Sequence, residues 1–262
     1  MCLLLLAHDV HPEYRLIVAA NRDEFYDRPT APATYWTDAP LVLAGRDLRA
    51  GGTWLGTDRT GRFAAVTNFR QGQREPLAAR SRGHLVSEYL TGEMDPWTHV
   101  TQVRREAQLY NGFNLIAADA REVVYFSNRE GEPRALAPGI YGLSNHLLDT
   151  PWPKVTAGKA AVSALVRTSA APELMAQLFD LLSDPTRPAD DLLPQTGISP
   201  EWERLLSSAF IASRDYGTRS STVVLVGRDG RVAFGERSFG VNGVPAGEVR
   251  YELAPGSERV SP

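Results

Sequence analysis

Cys2 is the second residue of the chain and its only cysteine. Methionine aminopeptidase acts when the second residue is small, so we expect Met1 to be removed and the mature chain to begin with Cys2. That residue then carries a thiol and a free α-amine. The α-amine titrates near neutral pH and can accept the thiol proton, which activates an amino-terminal nucleophile. The alternative for this position is a small buried side chain in an edge strand.

Polar residues continue an apolar run at Asn21, Arg22 and Asp23. Strand side chains alternate between faces, so we expect Asn21 and Asp23 to point to one side and Arg22 to the other, with one side facing Cys2. An aspartate there could orient the α-amine, and an arginine could hold the thiolate or a substrate carboxylate. An ordinary turn with a solvated ion pair is the alternative for this segment.

Asn68 and Asn145 each stand where an apolar strand is predicted to end. Acyl transfer needs donors aimed at the developing oxyanion, and an asparagine amide supplies one without adding charge. Arg219 stands at the entrance of another apolar run, where it could position an anionic group or lower the pKa of a nearby thiol. Turn caps and a surface loop are the alternatives for these three residues.

Short apolar runs separated by turn residues predict the strands that position these side chains. Residues 2–7 and 16–20 form one predicted hairpin, and residues 51–56 and 61–68 form another. Further strands are predicted at residues 113–118, 123–127, 140–144, 221–226, 232–235 and 249–253. Apolar stripes at helical spacing predict helices around residues 100–110, 155–166 and 174–182.

The predicted strands come in adjacent pairs rather than alternating with helices, which favours antiparallel sheets with helices on their outer faces. We therefore predict an α+β fold, a four-layer αββα sandwich of two mostly antiparallel sheets. The proline-rich stretches at residues 28–40 and 183–199 are interpreted as surface loops. One domain is expected over residues 1–262.

Composition narrows the class of protein. A formal net charge of −3 with scattered cations argues against a nucleic-acid partner. A single cysteine allows no intramolecular disulfide, which favours a reducing, cytoplasmic location. The apolar opening lacks the basic region of a signal peptide, and no run approaches the roughly 20 apolar residues of a membrane span. A homo-oligomer is compatible with the sequence.

Several segments together resemble one known family, the NRDE family, also called the transport and Golgi organisation family. The matching segments are Met1-Cys2, the Asn21-Arg22-Asp23-Glu24 signature followed by Arg28-Pro29, residues 51–56, 66–68, 143–145, 148–154 and 216–222. The resemblance implies the Ntn-hydrolase superfamily, whose fold is the αββα sandwich. More distantly, the chain is similar to cysteine amidases such as penicillin V acylase and bile salt hydrolase.

The amidase comparison implies roles for individual residues. Cys2 matches the nucleophile, and Asp23 matches the aspartate that binds the α-amine. Asn68 and Asn145 match the two strand-end asparagines. Arg219 matches the late active-site arginine, and Asn21 and Arg22 are interpreted as supporting or substrate-binding residues. The amidases carry an arginine just before the asparagine of this segment, where this chain has Ala20.

Two functions stay open at this point. The first is a cysteine hydrolase that needs no cofactor and uses Cys2 to cleave an amide or acyl bond, a non-peptide C–N bond in the amide case, of a small molecule. The second is a non-catalytic protein that binds haem, lipid or acyl-coenzyme A, because eukaryotic relatives are associated with haem trafficking and with lipid or acyl-coenzyme A metabolism.

Haem binding would need an axial ligand. The candidates are the Cys2 thiolate and the histidines His8, His11, His84, His99 and His146. None stands in a haem-attachment motif, and a surface or capping role is the alternative for each histidine. His8 and His11 lack the spacing of a zinc enzyme, so no metal site is predicted.

Overall fold

The computed structural model describes residues 2–70, 72, 80–169 and 171–254. In these residues the strands are β1 (Cys2–His8), β2 (Tyr14–Phe25), β3 (Thr30–Tyr35), β4 (Val42–Asp47), β5 (Leu55–Asp58), β6 (Phe63–Asn68), β7 (Phe113–Ala118), β8 (Val123–Ser127), β9 (Arg134–Ala135), β10 (Gly139–Leu143), β11 (Tyr216–Gly227), β12 (Val232–Phe239) and β13 (Pro245–Leu253). The helices are α1 (Gly83–Thr91), α2 (Pro96–Arg105), α3 (Pro153–Thr168), α4 (Ala171–Leu182) and α5 (Pro200–Leu205), with 3-10 turns at Ala107–Leu109, Asp190–Leu192 and Val241–Gly243.

The strands form two sheets, and every pairing between these named strands is antiparallel. The first sheet has the order β10-β1-β2-β11-β12-β13, and the second has the order β3-β4-β5-β6-β7-β8-β9. The hairpin that begins at Cys2 therefore lies inside the first sheet, between β10 and β11. Strand β1 is therefore an interior strand, with β10 on one side and β2 on the other.

The apolar run of β1 is buried on both faces, because the first sheet is covered on both sides. Leu4 and Leu6 pack against the second sheet in a shared core. Leu3 and Leu5 face the other way and pack against α3 and α4. The outer face of the second sheet packs against α1 and α2. These layers confirm the predicted αββα sandwich.

The predicted hairpins, the six later strands and helices α2 to α4 are all present, with shifted bounds. The Pro-rich stretch at residues 28–40 was wrongly interpreted as a loop throughout, because it contains β3. β3 is an edge strand whose register with β4 shifts between Ala31 and Thr34. An edge strand with such a bulge tolerates Pro32, since a proline there removes no interior ladder bond.

Stretch 183–199 carries only a short 3-10 turn and is otherwise irregular, as expected for a loop. None of the described helices combines the length and the apolar character that crossing a bilayer requires.

Candidate active site

Strand pairing places Arg22 directly opposite Cys2, so the two side chains share the face that looks toward the second sheet. Asp23 projects from the opposite face, as strand alternation predicted. Ala20 pairs with Leu4 and lies on the same face as Arg22. The first sheet therefore carries an arginine on the same face as Ala20, two residues further along the strand.

Hydrogen bonds fix the main chain of Cys2. Its nitrogen donates to Asn145 Oδ1 at 3.3 Å, and Ser144 Oγ donates to its carbonyl oxygen at 3.0 Å. Burial raises the pKa of the Cys2 thiol, and the main-chain N–H of Asp23 is one of the groups that lower it. This nitrogen is a peptide nitrogen here and stands for the α-amine that removal of Met1 would create. Met1 lies outside the described residues.

The two strand-end asparagines have different surroundings. Asn145 is fully buried, and its Nδ2 donates to the carbonyl oxygen of Asn68 at 2.9 Å. Its amide is therefore occupied in holding Cys2 and the end of β6 together. Asn68 lines the pocket beside Cys2, and no described residue hydrogen-bonds its side-chain amide. Of the two, Asn68 has the amide that can donate to an oxyanion in the pocket.

Asp23 is 1% exposed and accepts a hydrogen bond from Thr218 Oγ1 at 2.8 Å. The hydroxyl of Tyr216 donates to its carbonyl oxygen at 3.0 Å. Burial raises the pKa of the Asp23 carboxyl, and the strongest opposing effect comes from the positive charge of Lys154. Asp23 is thus a buried acid held in place by β11 and coupled to a cation on α3.

Lys154 lies in the first turn of α3 and is only 7% exposed. Its Nζ donates to the carbonyl oxygen of Leu206 at 2.9 Å. Burial lowers the pKa of Lys154 to about 8, while Asp23 and the Cys2 thiol act to raise it. The charge of the Lys154 amine is therefore electrostatically coupled to both Asp23 and the Cys2 thiol.

Arg22 is 6% exposed, and its guanidinium stacks on Trp54 at 4.3 Å from the ring centroid. Its Nη1 also donates to Thr30 Oγ1 at 3.3 Å. Burial is the largest effect on the half-buried Cys2 thiol and raises its pKa, whereas the positive charge of Arg22 lowers it. Arg22 therefore supplies positive charge to the nucleophile from its own face of the sheet.

A pocket of about 530 Å³ opens beside Cys2. Its described lining residues are Cys2, Arg22, Asp23, Glu24, Arg28, Asp47, Arg49, Ala50, Thr53, Trp54, Val66, Asn68, Arg80, Ser81, Arg82, Gly83 and Asn111. Most of them are polar or charged. A larger cavity of about 640 Å³ lies at the turn end of the β1–β2 hairpin, beside Tyr14 and Arg228. That cavity is at the far end of β1 from Cys2, so the candidate residues belong to the smaller pocket.

Three of the predicted site residues do not line this pocket: Asn145, which lies behind it on the Cys2 nitrogen, Arg219 and Asn21. Arg219 Nη1 donates to the carbonyl oxygens of Phe25 and Arg28, at 2.9 and 3.0 Å, and so holds the loop after β2. Asn21 faces the helices, where its Nδ2 donates to two main-chain carbonyl oxygens, of Leu182 and Ala209, at 2.8 Å each. Asn21 therefore ties β2 to the end of α4, and Arg219 ties β11 to the loop after β2.

None of the five histidines lines the pocket. Each histidine ring contacts another group instead. His8, His84 and His99 contact main-chain carbonyl oxygens, of Ala137, Ala50 and Leu85 respectively. His11 accepts the main-chain N–H groups of Glu13 and Tyr14, and His146 contacts the Thr150 hydroxyl. In the described ranges, no three histidine, cysteine or acidic side chains are grouped to hold a metal ion. Cys2 is the only candidate haem ligand that this pocket contains.

Sequence reasoning missed Thr218 and Lys154 as site residues. Thr218 lies opposite Asp23 in the β2–β11 pairing, one residue before the predicted Arg219. Lys154 could have been noticed because lysine is rare in this chain: among 28 lysine and arginine residues, only Lys154 and Lys159 are lysines. Lys154 also ends one of the matching family segments.

Comparison with known proteins places this geometry in a family. The family model for Transport and Golgi organisation 2 matches residues 1–240. The mouse Transport and Golgi organization 2 homolog is 42% identical over 262 residues, covering 91% of this chain and 93% of the mouse protein.

Two solved structures share the fold at low sequence identity. An N-acylethanolamine-hydrolyzing acid amidase ortholog from Caenorhabditis elegans has a TM-score of 0.51 at 12% identity, over 86% of this chain and 92% of that one. A mutant conjugated bile acid hydrolase from Clostridium perfringens has a TM-score of 0.51 at 8% identity, over 99% of this chain and 94% of that one. These likenesses show an Ntn-hydrolase-type fold. With a family match over most of its length, the chain belongs to the Transport and Golgi organisation 2 family.

Proposed function

We propose that this protein is an amino-terminal-nucleophile cysteine hydrolase that cleaves an amide or acyl bond of a small molecule through Cys2, once Met1 has been removed. One observation carries the proposal. The nitrogen and the thiol of Cys2 lie together beside a polar pocket, with Asn145 on the nitrogen and Asn68 in the pocket wall. Asp23 lies next to them on the neighbouring strand.

The proposed reaction uses these groups in turn. The α-amine of Cys2 takes the thiol proton, and the sulfur attacks the substrate carbonyl. The carbonyl oxygen becomes an oxyanion that the Asn68 amide stabilises. The α-ammonium then gives its proton to the leaving amine, the C–N bond breaks, and an S-acyl enzyme remains. Water, deprotonated by the α-amine, hydrolyses the thioester and releases the acid.

Arg22 has a defined part in this reaction. A half-buried thiol resists ionisation, because its thiolate is poorly solvated. The charge of Arg22 opposes that effect and lowers the pKa of the Cys2 thiol. In this proposal Arg22 therefore favours the thiolate of the nucleophile, although the chain has Ala20 at the position where the amidases have an arginine.

The chemistry of the pocket favours a polar substrate over a hydrophobic cofactor. The described wall carries five arginines, of which Arg28 is paired with Asp47 at 2.6 Å and Arg80 with Glu106 at 2.8 Å. A haem or lipid carrier would need an apolar wall. The names of the two structural relatives, an acid amidase and a bile acid hydrolase, add support for hydrolysis.

The test is turnover of a panel of acyl amides and thioesters by the purified protein and by Cys2→Ala and Cys2→Ser variants. We expect hydrolysis by the wild type, loss of it in Cys2→Ala, and strong reduction in Cys2→Ser. Activity retained in Cys2→Ala would refute the mechanism. A shift of the haem absorption band on adding haem, without any hydrolysis, would favour the carrier function instead.

A further inference from the structure

Lys154 is a buried cation with few neighbouring groups that offset its charge. Among the described residues, its amino group has one hydrogen-bond partner, the neutral carbonyl oxygen of Leu206, and forms no ion pair. A lysine ammonium carries three donors, and a buried charge is normally paired. Lys159, five residues along the same helix, is ion-paired with Asp149 at 2.7 Å and is partly exposed. The two lysines of this chain thus have opposite surroundings.

Lys154 lies on α3, which packs against the face of the first sheet from which Asp23 projects, in a core that Val155 shares with Leu3 and Leu5. Charged groups on three neighbouring elements act on Lys154. Asp23 on β2 and the Cys2 thiol on β1 raise its pKa, and Arg70 after β6 lowers it. Arg70 is itself bound to Glu203 at 2.8 Å. Lys154 is therefore a buried cation whose charge is coupled to Asp23 and to the Cys2 thiol, with Arg70 as the opposing cation.

This placement solves a problem in the proposed chemistry. A carboxylate alone beside an amine stabilises the ammonium form, which cannot accept a proton. A buried acid without a cation also tends to hold its own proton. A cation coupled to the same carboxylate opposes both effects, because it keeps the acid ionised and disfavours a second ammonium nearby.

Resting on the proposed function, we propose that Lys154 is a positioning residue of the Cys2 centre. Its buried ammonium keeps Asp23 ionised, so that Asp23 can orient the α-amine, and it keeps that amine in its neutral, proton-accepting form. It also favours the Cys2 thiolate. Lys154 acts through Asp23 and Cys2 and needs no contact with substrate.

The test measures Cys2 alkylation by iodoacetamide as a function of pH, which is specific because the chain has one cysteine. Two neutral variants, Lys154→Met and Lys154→Gln, are compared with the control Lys159→Met. We expect both neutral variants to raise the pH midpoint of Cys2 alkylation by about one unit. Their Cys2 should react roughly tenfold more slowly with iodoacetamide at about pH 7. The control should match the wild type. A folded Lys154→Met protein with the wild-type midpoint would overturn the proposal.

A second measurement needs no variant at position 154. Protein with ¹³C-labelled lysine gives signals from only Lys154 and Lys159, which Lys159→Arg assigns. We expect Lys154 to titrate near pH 8, and its midpoint to fall further once Cys2 is alkylated, because thermodynamic coupling is reciprocal. A Lys154 midpoint at the ordinary value for lysine, about 10.4, or no response of that midpoint to alkylation, would overturn the proposal.

These outcomes are distinct from failure of the proposed function. If no amide or thioester is hydrolysed, the hydrolase proposal fails, whereas the alkylation profile and the lysine midpoint are still measurable. If hydrolysis occurs but the profile of Lys154→Met is unchanged, only the role of Lys154 fails.

Discussion

Glu236 on β12 provides a prediction whose size follows from the structure. Its side chain is 1% exposed and lies between the two sheets. Oε1 accepts the main-chain N–H of Ala33 at 2.7 Å, and Oε2 accepts the Thr222 hydroxyl at 3.2 Å. Burial raises the pKa of this carboxyl from 4.5 to about 7, against the effect of these donors and of Arg22.

The sign of the effect on stability follows from proton binding. The folded protein holds the Glu236 proton more tightly than the unfolded chain does, so stability is fully present below about pH 4.5 and falls as the pH rises to about 7. With about 1.4 kcal/mol for each pKa unit, the loss between about pH 5 and about pH 8 is roughly 2 to 3 kcal/mol. Glu236→Gln keeps the shape of the side chain and removes this ionisation.

Urea denaturation of the wild type and Glu236→Gln at these two pH values measures the difference directly. The free energy of unfolding of the variant, relative to the wild type, should rise by about 2 to 3 kcal/mol from about pH 5 to about pH 8. The control is Glu248→Gln on β13, whose carboxylate is ion-paired with Arg237 at 3.0 Å and has a lowered pKa. That variant should show no such gain. Equal pH dependence in the wild type and Glu236→Gln would refute the reasoning.

Two further predictions concern the pocket. Asn68→Ala should slow formation of the S-acyl enzyme by about 100- to 1,000-fold, because one oxyanion donor is lost. Stopped-flow acylation measures this rate, and the control is Asn242→Gly, in the exposed turn before β13. Arg22→Leu should lower the rate of Cys2 alkylation by iodoacetate more than that by neutral iodoacetamide, since the arginine attracts the anionic reagent and lowers the pKa of the thiol. An unchanged acylation rate in Asn68→Ala, or an unchanged ratio of the two alkylation rates in Arg22→Leu, would contradict the role given to each residue.

Local pattern was sufficient for most of the fold. The run at the start of the chain predicts β1 because both of its faces are buried, and the helices α3 and α4 show apolar stripes at helical spacing. Helix α1 was not predicted: it begins at Gly83 and has no side-chain N-cap, so the usual start signals are missing. Strand β3 was hidden by Pro32, which an edge position tolerates.

The site was predictable where it depends on strand alternation and not where it depends on packing. Alternation placed Arg22 and Asp23 on opposite faces. A register shift between Thr218 and Ser220 in β11 leaves Thr218 facing Asp23 and turns Arg219 toward the loop after β2. Lys154 becomes buried only when α3 packs on the first sheet. The strands of that sheet are far from α3 in sequence, so local sequence pattern does not reveal this burial.

The central claim is that Cys2 becomes an amino-terminal nucleophile. Intact mass spectrometry of the purified protein, before and after treatment with a thioester probe, tests it most directly. We expect a mass without Met1 and, on treatment, one acyl adduct that Cys2→Ala lacks. Retained Met1, or an adduct that persists in Cys2→Ala, would contradict it.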